Sequence, residues 1–186
     1  KTKINLIDTP GFGNFFADAR AAMRVADAAL LVVDAVSGVE VQTEKAWAVA
    51  EEWKLPRMVV VNRLDRERAS LDRTLESLRA SIHRAIVPIQ LPIGSEKQFS
   101  GVVDLVAMKA YTFAADGSGA LTEGPVPSDL AAAATSARDS LIEMVAEADE
   151  TLMEHFFEAG TLTQEELVAG LSRETWDAKL FPLLCA

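Results

Sequence analysis

Two short stretches of this chain decide its fold: INLIDTPG at residues 4–11 and MVVVNRLD at residues 58–65. Each is an apolar run of strand length that passes directly into a polar turn. In open α/β sheets, ligands bind in the crevice beyond the carboxyl ends of the strands. The sequence therefore predicts a ligand site built from the turns that follow these two runs.

Apolar runs of this kind recur along the chain and alternate with helical patterns. Residues 4–8, 29–34, 58–62 and 181–186 are predicted to be buried parallel strands, since each is a short continuous apolar run. The segments between the first three runs repeat apolar residues at helical spacing, as does the segment from Leu71 to Ile86. This alternation predicts a doubly wound, mostly parallel α/β sheet.

The alternation stops after Ile86, where a different module begins. Residues 87–93 and 101–114 are predicted to be strands without a crossover helix, and residues 123–129 a loop. Ser128 is expected to cap one long helix that ends near Gly160. A Thr163-x-x-Glu166 capping box should open a shorter one. The predicted division is a partial core at 1–86, an inserted α+β subdomain at 87–176 and a return strand at 177–186.

Charge and composition restrict the classes of partner. Residues 1–86 carry 13 Lys and Arg against 12 Asp and Glu, whereas residues 87–186 carry 5 against 16. Such an acidic segment repels phosphate backbones, so no direct DNA binding is expected. No apolar stretch approaches the roughly 20 residues of a membrane span, so no membrane association is expected. The single cysteine, Cys185, cannot form an internal disulfide, which fits a cytoplasmic protein.

The first turn contains residue types suited to sensing a phosphate. Asp8, at a strand end, could hold Mg²⁺ through water, and Thr9-Pro10-Gly11 follows it directly. Gly11 would let a backbone N–H approach a γ-phosphate closely. The alternative is an ordinary strand-ending turn, because proline and glycine form turns without any ligand.

The second turn contains residue types suited to reading guanine. The Asp65 carboxylate can accept hydrogen bonds from N1–H and the exocyclic N2 amine of guanine, a donor pair that adenine lacks. Asn62 would brace the loop and read the base edge, while the Arg63 guanidinium could lie over the ring. The alternative is that Asp65 forms a surface ion pair with Arg66 or Arg68.

A guanine-nucleotide site also needs a phosphate-cradling loop, and G-x-x-x-x-G-K-[ST] occurs nowhere in these 186 residues. We therefore interpret the sequence as a fragment that lacks the phosphate-loop strand. In the sheet order of the GTPases that these turns resemble, that strand lies between the runs at residues 4–8 and 29–34, so two strand edges are expected to be unpaired or to close up. The isolated fragment is expected to be poorly stable and to hold GTP weakly.

Across nearly its whole length, the sequence resembles bacterial elongation factor G. Besides the two turns, the resemblance rests on the following segments: MRV at 23–25, GVEVQTE at 38–44, PRMVVVNRLDR at 56–66, LPIGSE at 91–96, GVVDL at 101–105, MKAY at 108–111, EADE at 147–150 and KLFPLLC at 179–185. It implies a P-loop GTPase-type fold with an inserted subdomain, GTP or GDP with Mg²⁺ as cofactors, and GTP-driven tRNA and mRNA translocation on the ribosome. It also implies that the acidic insertion faces the ribosomal stalk protein.

One position departs from that family. Where the family usually has a histidine that orients the attacking water beside Gly11, this chain has Phe12, which can neither donate nor accept a hydrogen bond. The resemblance therefore implies a divergent elongation-factor-G-like branch with slower hydrolysis. Two alternatives remain open: a nucleotide-binding docking module that hydrolyses weakly, and a related translational GTPase of the ribosome-protection or release-factor-recycling type.

Overall fold

The computed structural model describes residues 2–114, 116 and 118–186, and its centre is a four-stranded parallel sheet. The strand order in this sheet is β1-β2-β8-β3. The strands are β1 (Ala29–Asp34), β2 (Arg57–Asn62), β3 (Ile86–Pro88) and β8 (Phe181–Cys185). Strands at 29–34, 57–62 and 181–185 confirm three of the four predicted runs and, with them, the α/β fold class.

The helices that cross between these strands bury one set of alternating side chains. Helix α1 (Phe16–Met23) precedes β1, α2 (Val41–Glu52) connects β1 to β2, and α3 (Leu71–Ser81) connects β2 to β3. Trp47 of α2 and Leu78 of α3 belong to one buried cluster with alternate residues of β1 and β2. Those strand residues are Leu31, Val33, Val59 and Val61. The period-two pattern of burial is what a strand with one covered face requires.

The insertion forms a second sheet and a second core. Its antiparallel sheet runs in the order β4-β5-β6-β7. The strands are β4 (Gln90–Ile93), β5 (Gly101–Asp104), β6 (Lys109–Phe113) and β7 (Leu121–Gly124), and the helices are α4 (Ala131–Glu147), α5 (Glu150–Ala159) and α6 (Gln164–Trp176). Leu105, Leu141 and Leu167 are fully buried in a core of their own. Within the described part of the chain, no helix has both the length and the hydropathy needed to cross a membrane.

The predicted first strand is absent from this structure. Residues 4–8 form no strand, and their apolar side chains are exposed, with Leu6 at 90% exposure. A strand needs a neighbour to satisfy its backbone N–H and C=O groups, and no strand among the described residues lies beside this segment. The intrinsic strand preference of this segment is not enough to form a strand without a paired neighbour. Consistent with the expected unpaired edges, β1 has a neighbouring strand on one side only within the described ranges.

The structure also corrects three expectations about the insertion. The single long helix is wrong: the chain breaks at Ala148, and Asp149 caps α5 by accepting the Leu152 N–H at 2.9 Å. Ser128 is not a cap, because α4 begins after Leu130 without a side-chain hydrogen bond. Part of the expected loop at 123–129 belongs to β7. In contrast, the Thr163–Glu166 capping box is confirmed, and Gly160 ends α5 with a left-handed φ of 73°.

The boundary between core and insertion is less sharp than the proposed division at residue 86. Strand β3 continues past that residue and pairs with β8 over three positions. The pairs are Ile86 with Phe181, Val87 with Pro182, and Pro88 with Leu183. Two residues assigned to the insertion thus extend the parallel sheet. The antiparallel strands begin at Gln90, only two residues later.

Candidate functional site

The carboxyl ends of β1, β2 and β8 meet at one edge of the parallel sheet. Asp34 lies opposite Asn62 in the β1–β2 register, and Val61 lies opposite Cys185 in the β2–β8 register. The Ala35 N–H donates to the Asn62 carbonyl at 2.9 Å, which continues the pairing beyond the strands. These ends place the loops that follow β1 and β2 beside one another, as parallel sheets require at a ligand-binding edge.

An open cleft of about 790 Å³ lies between those loops. Most of its lining residues are charged, and both signs of charge are present. The lining residues are Asp34, Val36, Ser37, Arg63, Asp65, Arg66, Glu67 and Lys97. Three of the predicted site residues, Asn62, Arg63 and Asp65, are therefore on or next to this cleft.

The loop after β2 is shaped so that Asp65 points away from the core. The Asn62 side chain accepts the Arg63 backbone N–H at 2.8 Å, and Arg63 adopts a left-handed φ of 67°. The next residue, Leu64, is buried, and its N–H donates to the Ala186 carbonyl at 3.1 Å. Asp65 follows with its side chain 62% exposed. The Asn62 side chain thus holds the first residue of the loop, and the Asp65 carboxylate is accessible from solvent.

The alternative role for Asp65, a surface ion pair, is present in the structure as a long contact with Arg66. The Asp65 Oδ1 to Arg66 Nε distance is 4.0 Å, and both side chains are more than half exposed. Exposed pairs at this separation contribute at most a small fraction of the folding free energy. Most of the hydrogen-bonding capacity of the carboxylate therefore remains available.

Several cleft residues were not predicted from the sequence, Asp34 and Lys97 among them. Asp34 ends β1 and contacts the Arg63 guanidinium at 2.9 Å, Oδ2 to Nη1. Its pKa is below the usual value, first because the Ser37 and Val36 N–H groups donate to Oδ1 and also because of Arg63. Its position as a carboxylate at a strand end was a usable signal. Lys97 comes from the insertion, and no local pattern marked it.

The first predicted turn, Asp8 to Gly11, does not reach this cleft. Asp8, Thr9, Pro10 and Gly11 are exposed in a segment without regular structure, and Phe12 is 80% exposed. None of these five residues lines the cleft. The structure therefore does not bring the proposed phosphate-side and base-side residues together.

The described residues do not by themselves complete a magnesium site. Mg²⁺ prefers an octahedral shell of oxygen ligands, and Asp8 offers a single exposed carboxylate. Among residues 2–114, 116 and 118–186, no group of three His, Cys, Asp or Glu side chains is arranged to hold a metal ion. In nucleotide sites Mg²⁺ is held by one or two carboxylates together with substrate phosphates and water, so Asp8 would hold it only beside a bound nucleotide.

Comparison with known proteins bears on the nature of this cleft. The model of the elongation factor Tu GTP-binding domain family matches residues 1–178. A crystal structure of a protein from Thermus thermophilus superposes with a TM-score of 0.86 at 36% sequence identity. The superposition covers 96% of this chain but only 26% of that longer chain.

Proposed function

Because this chain belongs to the elongation factor Tu GTP-binding domain family, we propose that it is the nucleotide-binding part of a ribosome-stimulated GTPase of the elongation factor G type. In that proposal the complete protein uses GTP binding and hydrolysis to move tRNA and mRNA on the ribosome. The observation that carries it is the exposed Asp65 carboxylate at the mouth of the cleft, on a loop held by Asn62. The second core, with its antiparallel sheet and three helices, supports the more specific assignment.

The base end of a guanine nucleotide matches this cleft chemically. Asp65 would accept the N1–H and N2–H hydrogen bonds, and two charge-assisted bonds to one carboxylate give both affinity and selectivity. Arg63 lines the same cleft and offers a planar cation on which an aromatic ring can lie. Adenine presents an acceptor where guanine presents N1–H, so Asp65 would exclude it.

We assign the phosphate end of the nucleotide to the first predicted turn. We place Asp8, Thr9, Pro10 and Gly11 next to the phosphates in the complete protein, with Gly11 as the backbone donor to the γ-phosphate. Phosphoryl transfer to water depends mainly on positioning the water and stabilising charge. Phe12 has no polar atom for either task, so the water must be oriented by other groups.

The acidic insertion is proposed to contact the stalk protein of the ribosome. Helices α4, α5 and α6 expose six glutamates: Glu143, Glu147, Glu150, Glu154, Glu158 and Glu165. A surface of one sign accelerates encounter with a partner of the opposite sign and makes that encounter sensitive to salt.

The test is GTP turnover by the full-length protein with and without ribosomes, together with a translocation assay. We expect ribosomes to accelerate turnover, and ribosomes stripped of the stalk protein to accelerate it less. Absence of guanine-nucleotide binding would refute the site. Binding without any ribosome stimulation would refute the translational role and leave a docking module as the function.

That second function, a nucleotide-binding module with weak hydrolysis, is favoured by one observation. Phe12 occupies the position next to Gly11 and exposes 80% of its surface, so no polar side chain stands at this position to orient water. Single-turnover hydrolysis on saturating ribosomes separates the two functions, since a docking module would bind GTP but release it unchanged.

A further inference from the structure

The Asp34 carboxylate uses its two oxygens for different tasks. Oδ1 accepts the backbone N–H groups of Val36 at 2.8 Å and Ser37 at 3.1 Å. Oδ2 accepts the Arg63 guanidinium Nη1 at 2.9 Å. The first oxygen shapes the turn after β1, and the second holds a side chain from the loop after β2.

Because the two Asp34 oxygens have separate partners, the Asp34 carboxylate fixes the position of the Arg63 side chain within the cleft. Arg63 is 60% exposed and would otherwise sample many rotamers, because a long exposed side chain gains entropy by moving. Asp34 itself is only 26% exposed and cannot swing away, because two backbone donors anchor it. A charge-assisted hydrogen bond from an anchored carboxylate therefore holds the guanidinium at the cleft wall.

We propose that Asp34 is a positioning residue for base binding, which holds Arg63 as the wall on which the purine ring lies. The proposal rests on the guanine-nucleotide site described above and adds a residue to it. Arg63 retains the other N–H groups of its guanidinium and its planar face, so the bond to Asp34 leaves it able to contact the ring. The pair also neutralises both charges, which lowers the cost of covering them with an aromatic ring.

The substitution Asp34→Asn tests this directly. An asparagine Oδ1 can still accept the Val36 and Ser37 N–H groups, so the turn is retained, but its NH₂ group would face the Arg63 guanidinium donor to donor. In the full-length protein we expect GDP affinity to fall by about 3- to 10-fold, in line with an exposed cation–ring contact. Equilibrium titration with GDP measures this, and a thermal melt checks that the variant is folded.

A matched control exists in the insertion. Asp104 forms the same turn, with Oδ1 accepting the Val106 N–H at 2.8 Å and the Ala107 N–H at 3.0 Å, but it lies outside the cleft. Asp104→Asn should leave the GDP affinity unchanged. An equal loss in both variants would mean that the effect comes from weakening a turn, and would overturn the proposal.

Two further measurements separate positioning from a general disturbance of the loop. Inosine diphosphate lacks the N2 amine that Asp65 is proposed to read, so Asp34→Asn should weaken GDP and inosine diphosphate by the same factor. A changed ratio would mean that the Asp65 loop itself has moved. In an Arg63→Ala background, Asp34→Asn should have no additional effect, because its partner is already gone.

The outcomes distinguish this inference from the proposed function. If the wild-type protein binds GDP and Asp34→Asn binds it equally well, or if the losses in the two single variants simply add, Asp34 does not position Arg63. If the wild-type protein binds no guanine nucleotide, both the function and the inference fail. Should Asp34→Asn not fold, Arg63→Ala alone must still lower affinity for both diphosphates by one common factor, and equal affinity would overturn the proposal.

Discussion

Leu64 and Asp65 are neighbours in sequence with opposite environments, and this contrast defines the loop proposed to read the base. Leu64 is buried and anchors the loop, whereas Asp65 is exposed at the cleft. An anchored backbone presents its next side chain in a narrow range of positions, which is a requirement for base selectivity.

Asp65→Asn is expected to shift base preference from guanine to xanthine. The asparagine amide can place an NH₂ donor against the C2 oxygen of xanthine, but that donor would oppose the guanine N2 amine. In the full-length protein, GDP affinity should fall by about 100-fold or more, since a site built to hydrogen-bond its ligand rejects a ligand whose polar groups it cannot pair, and xanthosine diphosphate affinity should rise. Asp104→Asn, the same substitution at a residue outside the cleft, is the control and should change neither affinity.

Phe12→His is expected to raise ribosome-stimulated GTP turnover. Histidine supplies a donor and an acceptor where phenylalanine supplies neither, and a positioned polar group can accelerate a proton-coupled step by about 10-fold or more. Phe15→His is the control, because Phe15 is also exposed but lies three residues further along. A turnover equal to wild type in Phe12→His would show that this position does not limit hydrolysis.

At this scale the sequence predicted part of the cleft lining, for identifiable reasons. Asn62, Arg63 and Asp65 follow a strand directly, so local order was enough to place them at the sheet edge. Asp34 reaches the cleft through the pairing of β1 with β2, and Lys97 reaches it from the insertion. Both depend on contacts between segments distant in sequence, which local patterns do not contain.

At the scale of elements, the start of α6 is held by reciprocal hydrogen bonds. Glu166 Oε2 accepts the Thr163 backbone N–H at 2.9 Å and its hydroxyl at 2.8 Å, while the Glu166 N–H donates to Thr163 Oγ1. His155 of α5 lies 2.8 Å from the other carboxylate oxygen. Because these donors favour the charged form, the Thr163 N–H foremost, the pKa of Glu166 is lowered from 4.5 to about 2.

This lowered pKa predicts an acid-dependent contribution to stability. The unfolded state binds the proton more readily, so the Glu166 carboxylate stabilises the fold fully above about pH 4.5 and loses that contribution as the pH falls towards 2. Glu166→Gln keeps a capping side chain but cannot titrate, so its melting temperature should fall less steeply over this window. Glu165→Gln, also in the first turn, should keep the wild-type slope. Equal slopes for all three proteins would contradict the assignment.

Strands were predicted correctly where the local sequence pattern and the pairing with a neighbouring strand agree. They were not predicted correctly where the presence of a pairing strand decides whether a strand forms. The runs of β1, β2 and β8 are apolar, and each pairs with at least one neighbouring strand. Residues 4–8 are equally apolar, but without a paired neighbour among the residues that the structure describes they remain outside any sheet. The prediction of a single long helix in the insertion was wrong for a local reason. Asp149 favours the start of a helix over its interior.

At the scale of the whole molecule, the parallel sheet leaves apolar surface uncovered at β1. Leu30 and Val32 are 57% and 60% exposed on a strand that, in the described part of the chain, pairs on one side only. Expressed as these 186 residues, the protein is expected to self-associate at micromolar concentrations, because such strands pair with one another. Leu30→Lys combined with Val32→Lys should reduce the association measured by sedimentation velocity.

Phe157→Lys provides the control for this prediction. Phe157 is 78% exposed but lies on helix α5, remote from the strand edge in the chain. If its replacement reduces association as much as the double substitution in β1, general hydrophobicity rather than strand pairing drives the process.

The position of β8 has a consequence for how the protein is made. Strands β3 and β8 are neighbours in the sheet, yet 92 residues, 89–180, separate them in the chain. At synthesis rates of about 5–20 residues per second, β8 leaves the ribosome roughly 5 to 20 s after β3. During that interval β2 and β3 lack the strand that lies between them in the complete sheet. The same interval gives the insertion time to fold and to bring its two ends together. A nascent chain stalled before residue 181 should therefore be a preferred target for chaperones that recognise open sheet edges.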